Sequence, residues 1–586
     1  MSKSILLVNW APIWKGAHVG GGVNGYLHHL GPALCALGHE VTYVFGGLLY
    51  TDQPKGCFSR RHDDFHGIRV IEIINSPVLA PSASQFREPM AEVHAPELVG
   101  EFSRLLRLIK PDLVHWHNIE GFSIDCVDAC REFGAKIVYS LHNYHTLCSQ
   151  VTLCKGNQKP CLDFRAGHDC STCIQAPDPY SEKARRIERY ANDQDDTLER
   201  LRSGLQKGVS KLKHELSWPK RIISETLNIY KHLQAIKQEE AKPRILHAPG
   251  SPTTTGEDLA IHPLRNRSDW SLSLPVLSAE QIDHEYEQQA GKPLDNIPKR
   301  DPSSGKLFGV HARRRSEMVS MLNRCDRVLA VSDFVRLKYE TEGVEPERIS
   351  TMRIGTSLAD IRPPRQTERT QTEPVRIVFV GYNHFNKGLP LLLAAMQGMR
   401  GDDLRQIGLS VYAPGVQTIG PEFRRLYPPL AELNIRDSYE PSELEHILTS
   451  HDVCYVGSSW WDPLPQTALE SLVFRTPVLG AEAGGIPEAV RDGKNGFLFR
   501  ANDPHSLRLR LLDVIEAKGT SNWPTQFNEL KTISSHASEL SAFYGALTTP
   551  SSNQSILTSR QAESVLGAHQ TAQPSCINLE MQHEHL

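Results

Sequence analysis

Three short runs in the second half of this 586-residue chain set charged side chains and glycines directly after apolar runs. Gly381-Tyr382-Asn383-His384-Phe385-Asn386-Lys387-Gly388 follows Val375 to Val380 and opens a helical pattern, so the Lys387 ammonium is set where it can meet a phosphate. Asp462-Pro463-Leu464-Pro465-Gln466-Thr467-Ala468-Leu469-Glu470 holds two carboxylates eight positions apart, the first in a loop and the second on a helix. Gly484-Gly485-Ile486-Pro487-Glu488 puts a glycine turn and a proline at another helix start. A lysine after a strand is by itself usually solvated, and the signal lies in the order and spacing of the three runs together.

The first half offers a glycine run, a histidine and a set of thiols. Gly20-Gly21-Gly22-Val23-Asn24-Gly25 has the G-x-G-x-x-G spacing of a dinucleotide fingerprint. Two departures count against that reading: Trp10 to Val19 separates the run from the first strand, and the second strand, Val41 to Phe45, runs into Gly46-Gly47 where an acid is wanted. The alternative is a glycine loop whose amides, at Gly21 and Gly22, face an anion at a helix start; a purely structural loop is the plainer reading. His142 follows the apolar run Lys136 to Ser140. Directly after it come Cys148, Cys161, Cys170 and Cys173, spaced x12, x8 and x2. A C-x-x-C with two preceding thiols reads as a tetrahedral structural zinc site, with Cys154 and His168 as alternative ligands. Unligated reduced thiols and an iron–sulfur centre are the other readings. No water-activating glutamate stands near in an obvious motif, so metal-dependent hydrolysis is not expected.

These groups need elements to hold them, and the pattern supplies an α/β frame. Ile5 to Val8, Val41 to Phe45, Ile68 to Ile73, Leu113 to Trp116 and Lys136 to Ser140 read as buried strands with helices between most of them. The alternation resumes at Arg327 to Val331 and runs to Met352-Arg353-Ile354. A second series begins at Val375, Leu409, Val453 and Pro477. The expected architecture is two doubly wound Rossmann-like domains facing a central cleft, with the motifs beyond the carboxyl ends of the strands. The boundaries are 1–365 for the first domain, carrying the cysteine cluster 148–173 and an insertion at about 180–307. The second domain takes 366–532, a C-terminal helix 533–549, and a Ser/Gln/Thr-rich tail 550–586 reads as disordered.

In their order and spacing these motifs resemble the GT-B family of retaining glycosyltransferases grouped as family 4. The resemblance rests on the glycine loop at 20–25, His115 to His117, Leu141-His142-Asn143, Val331 to Phe334, and the stretches 375–394 and 452–508. It implies a nucleoside diphosphate sugar bound mainly by the second domain, an acceptor facing the first, and no bound Mg²⁺ or other catalytic metal. It further implies that Lys387 and the amides near Gly21, Gly22, Gly485 and Ile486 stabilise the leaving diphosphate, with Gly381 among the donor-binding residues. Glu470 would take the ribose hydroxyls, Asp462 the transferred sugar, and His142 would stand in the cleft near the reacting sugar. Two features depart from the family's pattern. The first acid is Asp where Glu is usual, and the Arg before the Lys is replaced by Tyr382-Asn383-His384, with His384 or Arg353 as candidate substitutes. Rival readings are a relative that binds nucleotide sugar without turnover, and a GT-B nucleotide-sugar epimerase.

Composition narrows the setting. A net charge of −4 gives no support for nucleic acid. The opening MSKSILLVNW is too briefly apolar for a signal-peptide core, and no run reaches the ~20 apolar residues of a membrane span. A cytoplasmic enzyme with reduced cysteines is expected, building a cell-surface polysaccharide or glycolipid on a saccharide or lipid-linked acceptor. From Leu205 to Ile236, Leu205, Val209, Leu212 and Leu216 recur at helical spacing among Lys207, Lys211 and Lys213. That pattern suits either peripheral contact with the inner face of an anionic membrane or a helix packed on the protein itself.

Overall fold

The computed structural model describes residues 2–52, 56–156, 159–192, 309–360, 373–382, 384–427 and 429–549. The chain divides into two compact units, Met1–Lys183 with Ser268–Leu586, and Ala184–Arg267. In the second unit residues 184–192 are helical, as the charged pattern after 180 predicts. The rest of the insertion, with its expected amphipathic helix pair, and the tail 550–586 lie outside the described residues.

Both sheets belong to the larger unit. The first uses β1 (Ser4–Val8), β2 (Glu40–Gly46), β3 (Phe58–Arg61), β4 (Arg69–Ile74), β5 (Leu113–Trp116) and β6 (Lys136–Leu141). After a small hairpin of β7 (Cys154–Lys155) and β8 (Lys159–Pro160), it is completed by β9 (Arg327–Ala330) and β10 (Ile349–Thr351). The order is β10-β9-β6-β5-β1-β2-β4-β3, parallel throughout except β3. Ile5, Leu6, Leu7 and Val8 are all fully buried, as a strand covered on both faces requires. The second sheet runs β11 (Val375–Val380), β12 (Ile407–Tyr412), β13 (Glu432–Arg436), β14 (Val453–Val456), β15 (Val478–Ala481) and β16 (Gly496–Phe499). Its order is β13-β12-β11-β14-β15-β16. These are two doubly wound Rossmann-like sheets, the GT-B arrangement that the sequence leads one to expect.

The strand order reverses twice, between β1 and β5 in the first sheet and between β11 and β14 in the second. Such switch points open a crevice at the carboxyl ends of the strands. The loops after β11 and β14 are the ones that carry Lys387 and Asp462. They touch backbone to backbone: Gly388 has φ +80, and a Cβ there would run into the Gly457 carbonyl.

Five strands lie beyond the sequence reading, the two of the β7–β8 hairpin among them. β3 is polar (Phe58-Ser59-Arg60-Arg61) and pairs antiparallel at the edge, while β13 and β16 are short. The strand expected to run to Met352–Ile354 instead ends at Thr351, where its ladder with β9 stops and Arg353 turns away to pair with acids. Helix Ile533–Thr548, begun by the Thr532 hydroxyl accepting from Ser535 N–H, returns to the first sheet. There Ile533, Ala537, Leu540 and Tyr544 share a core with Ile5, Leu7 and Leu27. Among the described residues no helix is long and apolar enough to cross a membrane.

Candidate active site

His142 stands just past the end of β6, partly exposed. Its Nε2 lies 3.0 Å from Nδ1 of His117, which is buried just past the end of β5. Because residues i and i+2 of a strand share a face, His115 sits beneath His117, ring centroids 3.9 Å apart. Both nitrogens of His115 are occupied, Nδ1 by Tyr544 Oη at 2.6 Å and Nε2 by Ser140 Oγ at 2.8 Å. Tyr26 adds its ring 5.2 Å from that of His142, while its hydroxyl meets His536 Nε2 at 2.8 Å. Burial, with the neighbouring imidazoles, holds His115 and His117 well below the usual histidine range. For His142 burial and then His536 lower the pKa to about 3. The cluster is therefore neutral at physiological pH.

The loop after His142 is pinned from behind. His145 is buried with Glu92 and Arg314, and the Arg314 guanidinium, with the His145 ring beside it, holds the Glu92 carboxyl at about 2 against the upward push of burial. Tyr339 Oη donates to the Asn143 carbonyl at 3.1 Å. Tyr144 turns its ring edge-on to Trp460, 6.1 Å away, which brings this loop against the second domain.

On the second-domain side Lys387 Nζ is 3.0 Å from Asp462 Oδ2, which also accepts from Ser458 Oγ at 3.1 Å. The ammonium lies 5.7 Å from the Trp460 ring centroid. The cation and the first acid of the motif thus meet at the switch point. Glu470 sits on helix Gln466–Val473 with no hydrogen-bonded partner among the described residues, and burial pushes its carboxyl up to about 7. A Cβ at Gly22 would come 3.3 Å from Gln466 Cγ, so the start of helix Gly21–Ala36 faces the helix that carries Glu470. Gly20 provides no side-chain cap there, and the amides of Gly21 and Gly22, in the first turn, have no hydrogen-bonded partner among the described residues.

The other expected amide donors are differently used. Gly485 N–H donates to Asp462 O at 2.8 Å, Ile486 N–H to Ala483 O at 3.2 Å and Gly381 N–H to Tyr412 O at 3.1 Å. These bonds shape the loops and occupy the three amides in this conformation. Neither substitute for the missing arginine reaches the site as an unpaired cation. Arg353 is held by Asp333 at 2.6 Å and Glu488 at 2.8 Å, and His384 Nδ1 meets Asn386 Oδ1 at 2.6 Å. Glu488 is a residue whose role the sequence does not reveal: its carboxylate accepts from the Asp333 and Phe334 amides, capping helix Asp333–Thr341 from the other domain. The His-x-His pattern at 115–117 is the sequence signal for His117, the hydrogen-bonded neighbour of His142.

The four cysteines share one loop cluster built around the β7–β8 hairpin. Cys161 N–H donates to Leu153 O at 2.6 Å, and Cys173 Sγ accepts from Gly156 N–H at 3.2 Å. Burial, and next the neighbouring thiols, push Cys161 and Cys170 up to about 12. Of the alternative ligands, Cys154 is buried in the first domain's core and the exposed His168 lies 3.8 Å from Asp169. No described cysteine is in a disulfide, and among the described residues no three His, Cys, Asp or Glu side chains stand as a metal ion would require.

Two family models match this chain, Glycosyltransferase Family 4 over residues 20–191 and Glycosyl transferases group 1 over residues 360–529. Together they take in more than half of it, and the chain belongs to this family of GT-B glycosyltransferases. It is 28% identical over 210 residues to the alpha-maltose-1-phosphate synthase of Mycolicibacterium smegmatis, covering 33% of this chain and 53% of that one. Over 208 residues it is 24% identical to a Salmonella typhimurium protein described as a colanic acid biosynthesis glycosyltransferase, WcaL, covering 34% and 49%. The chain spans about half the length of the curated relatives it matches. Sucrose-phosphate synthase from Thermosynechococcus elongatus has the same fold, with a TM-score of 0.51, 14% identity, and coverage of 93% of this chain and 98% of that one.

Proposed function

We propose that this chain is a retaining glycosyltransferase that moves a sugar from a nucleoside diphosphate sugar to a saccharide or lipid-linked acceptor, in cell-surface polysaccharide synthesis at the cytoplasmic face of the membrane. The observation that carries the reading is the pairing of Lys387 with Asp462 at the β11/β14 switch point, with Glu470 on the next helix and Gly22 facing it. A lysine there can take the charge that develops on a leaving diphosphate without help from a divalent ion. Retention is what the family resemblance implies, and burial, which holds His142 below the usual histidine range, makes that histidine a weak general base for an inverting transfer. The polysaccharide setting is supported by the WcaL-like relative.

The test is to incubate the full chain with a panel of nucleoside diphosphate sugars and lipid or oligosaccharide acceptors, in chelator. Nucleoside diphosphate release with product of unchanged anomeric configuration is the expected result. Tight donor binding without release, in the presence of cell-envelope lipid extract, would favour the binding-only reading, and C2-inverted donor the epimerase. A structural zinc on Cys148, Cys161, Cys170 and Cys173 belongs to the same proposal. Its support is the x12, x8, x2 spacing of four thiols that share one loop cluster; among the described residues no three of them yet stand as a metal ion would require. Metal analysis is expected to give about one zinc per colourless chain; folded, active protein without metal would remove it.

A further inference from the structure

The neutral histidine pair His117–His142 shares one hydrogen bond, so one ring donates and the other accepts. The remaining nitrogens decide which. His117 Nε2 is buried with no hydrogen-bonding partner. If the proton of His117 were on Nε2, a buried N–H would be left without an acceptor, the rarer and costlier defect. With the proton on Nδ1, only a lone pair is left unpaired there. His142 Nε2 must then accept, and its proton lies on Nδ1. That nitrogen takes no hydrogen bond from any described group and is not among the buried unsatisfied atoms, which leaves it open on the partly exposed side of the ring.

The rest of the cluster makes this arrangement rigid. His117 N–H donates to the Val8 carbonyl at 2.9 Å, extending the β5–β1 ladder by one residue, so its Cα is placed by the sheet. Its ring packs against that of His115 with centroids 3.9 Å apart and planes tilted by 35°, and Tyr544 and Ser140 fix His115 at both nitrogens. Tyr26 closes the other side of His142. The ring that faces the cleft is thus backed by one that cannot easily turn.

We infer that His117 is the positioning residue for His142: its Nδ1–H, donated to His142 Nε2 at 3.0 Å, selects the tautomer in which His142 offers Nδ1–H as a hydrogen-bond donor to an oxygen of the bound ligand. His142 then binds as a fixed neutral donor, and no proton leaves or joins it during turnover. The role in turnover rests on the glycosyltransferase reading; the tautomer does not.

The first measurement is the ring-nitrogen NMR spectrum of the full, uniformly ¹⁵N-histidine-labelled chain, with the His142 signals assigned by their loss in His142→Gln. A protonated Nδ1 and bare Nε2 on His142 is expected, and the opposite pattern overturns the inference. The second compares His117→Asn, whose amide nitrogen can replace Nδ1–H, with His117→Asp, which can only accept. His117→Asn is expected to keep kcat/KM for the donor within roughly threefold, and His117→Asp to lose roughly tenfold or more, the effect of one hydrogen bond to ligand. Equal activities in the two variants would overturn it. A Nδ1–H signal in a chain that turns over no nucleotide sugar leaves the tautomer standing and removes the enzymatic reading instead.

Discussion

At the carboxyl edge of the first sheet, the rings of His115, His117, His142 and Tyr26 pack around the His117–His142 hydrogen bond; at that of the second, Lys387 pairs with Asp462, and Glu470 follows on the next helix. Burial accounts for the difference. Imidazoles withdrawn from water lose their protons and become shape and direction. Lys387, with its side chain about 30% exposed and paired to Asp462, keeps a charge that can be redirected to a ligand. On the proposed glycosyltransferase reading, one edge would orient and the other balance charge, a division that suits transfer from a donor with an anionic leaving group to a neutral hydroxyl.

That contrast is most exposed to failure at Lys387. Replacing it by Ala should lower kcat by ~10²–10³, because it removes a charged donor to the leaving oxygen, and should also lower thermal stability, because the buried Asp462 carboxylate loses its cation. Near-normal turnover would mean the charge balance lies elsewhere. Next in size is Glu470→Ala, for which calorimetry should show nucleoside diphosphate and intact donor both binding roughly ten- to a hundredfold more weakly. Asp462→Ala should spare nucleoside diphosphate affinity while lowering turnover, the mark of a contact made to the sugar.

A smaller effect appears on titration. The folded-state pKa of Glu470 is raised to about 7, so between the ordinary carboxylate range and about pH 7 the folded state holds a proton that the unfolded state has lost. This group therefore subtracts from stability as pH rises through that window and adds no further slope above it. Thermal melts from pH 5 to 8 should show this slope in the wild type and its loss in Glu470→Gln, with nucleotide affinity in the wild type rising as the carboxyl ionises. The smallest change is expected from the histidine edge. Tyr544→Phe leaves His115 Nδ1 without its partner and should cost about 1 kcal/mol in chemical denaturation, with turnover nearly unchanged. A large loss of kcat there would show that the stack does more than orient.

Much of the frame was legible because parallel strands buried on both faces must be continuous apolar runs. Val375 to Val380 and Leu113 to Trp116 announce themselves, and ligand loops follow such strands. Lys387 and Asp462 were legible for the same reason. β3 was not, since Phe58-Ser59-Arg60-Arg61 is an edge strand held by antiparallel bonds to β4, with no apolar pattern of its own. Nor were the fates of the Gly485 and Ile486 amides, because a glycine turn at a helix start looks the same in sequence whether its N–H groups face an anion or a carbonyl across the loop. Glu488 and Arg353 lie in different domains, and their ion pair depends on how those domains pack, which no local pattern encodes.

The return of helix Ile533–Thr548 to the first sheet has a consequence for biosynthesis. The core around β1 and β2 includes Ile533, Ala537, Leu540 and Tyr544, residues translated long after the strands they cover. At ~5–20 residues per second, the roughly 400 residues between β6 and Tyr544 take on the order of 20–80 s to emerge. During that interval the nascent first domain exposes the apolar face meant for the helix, and His115 lacks its tyrosine. Ribosome-bound chains halted before residue 533 should accordingly be the form that chaperones bind and proteases cut, and release of the last helix should end that vulnerability.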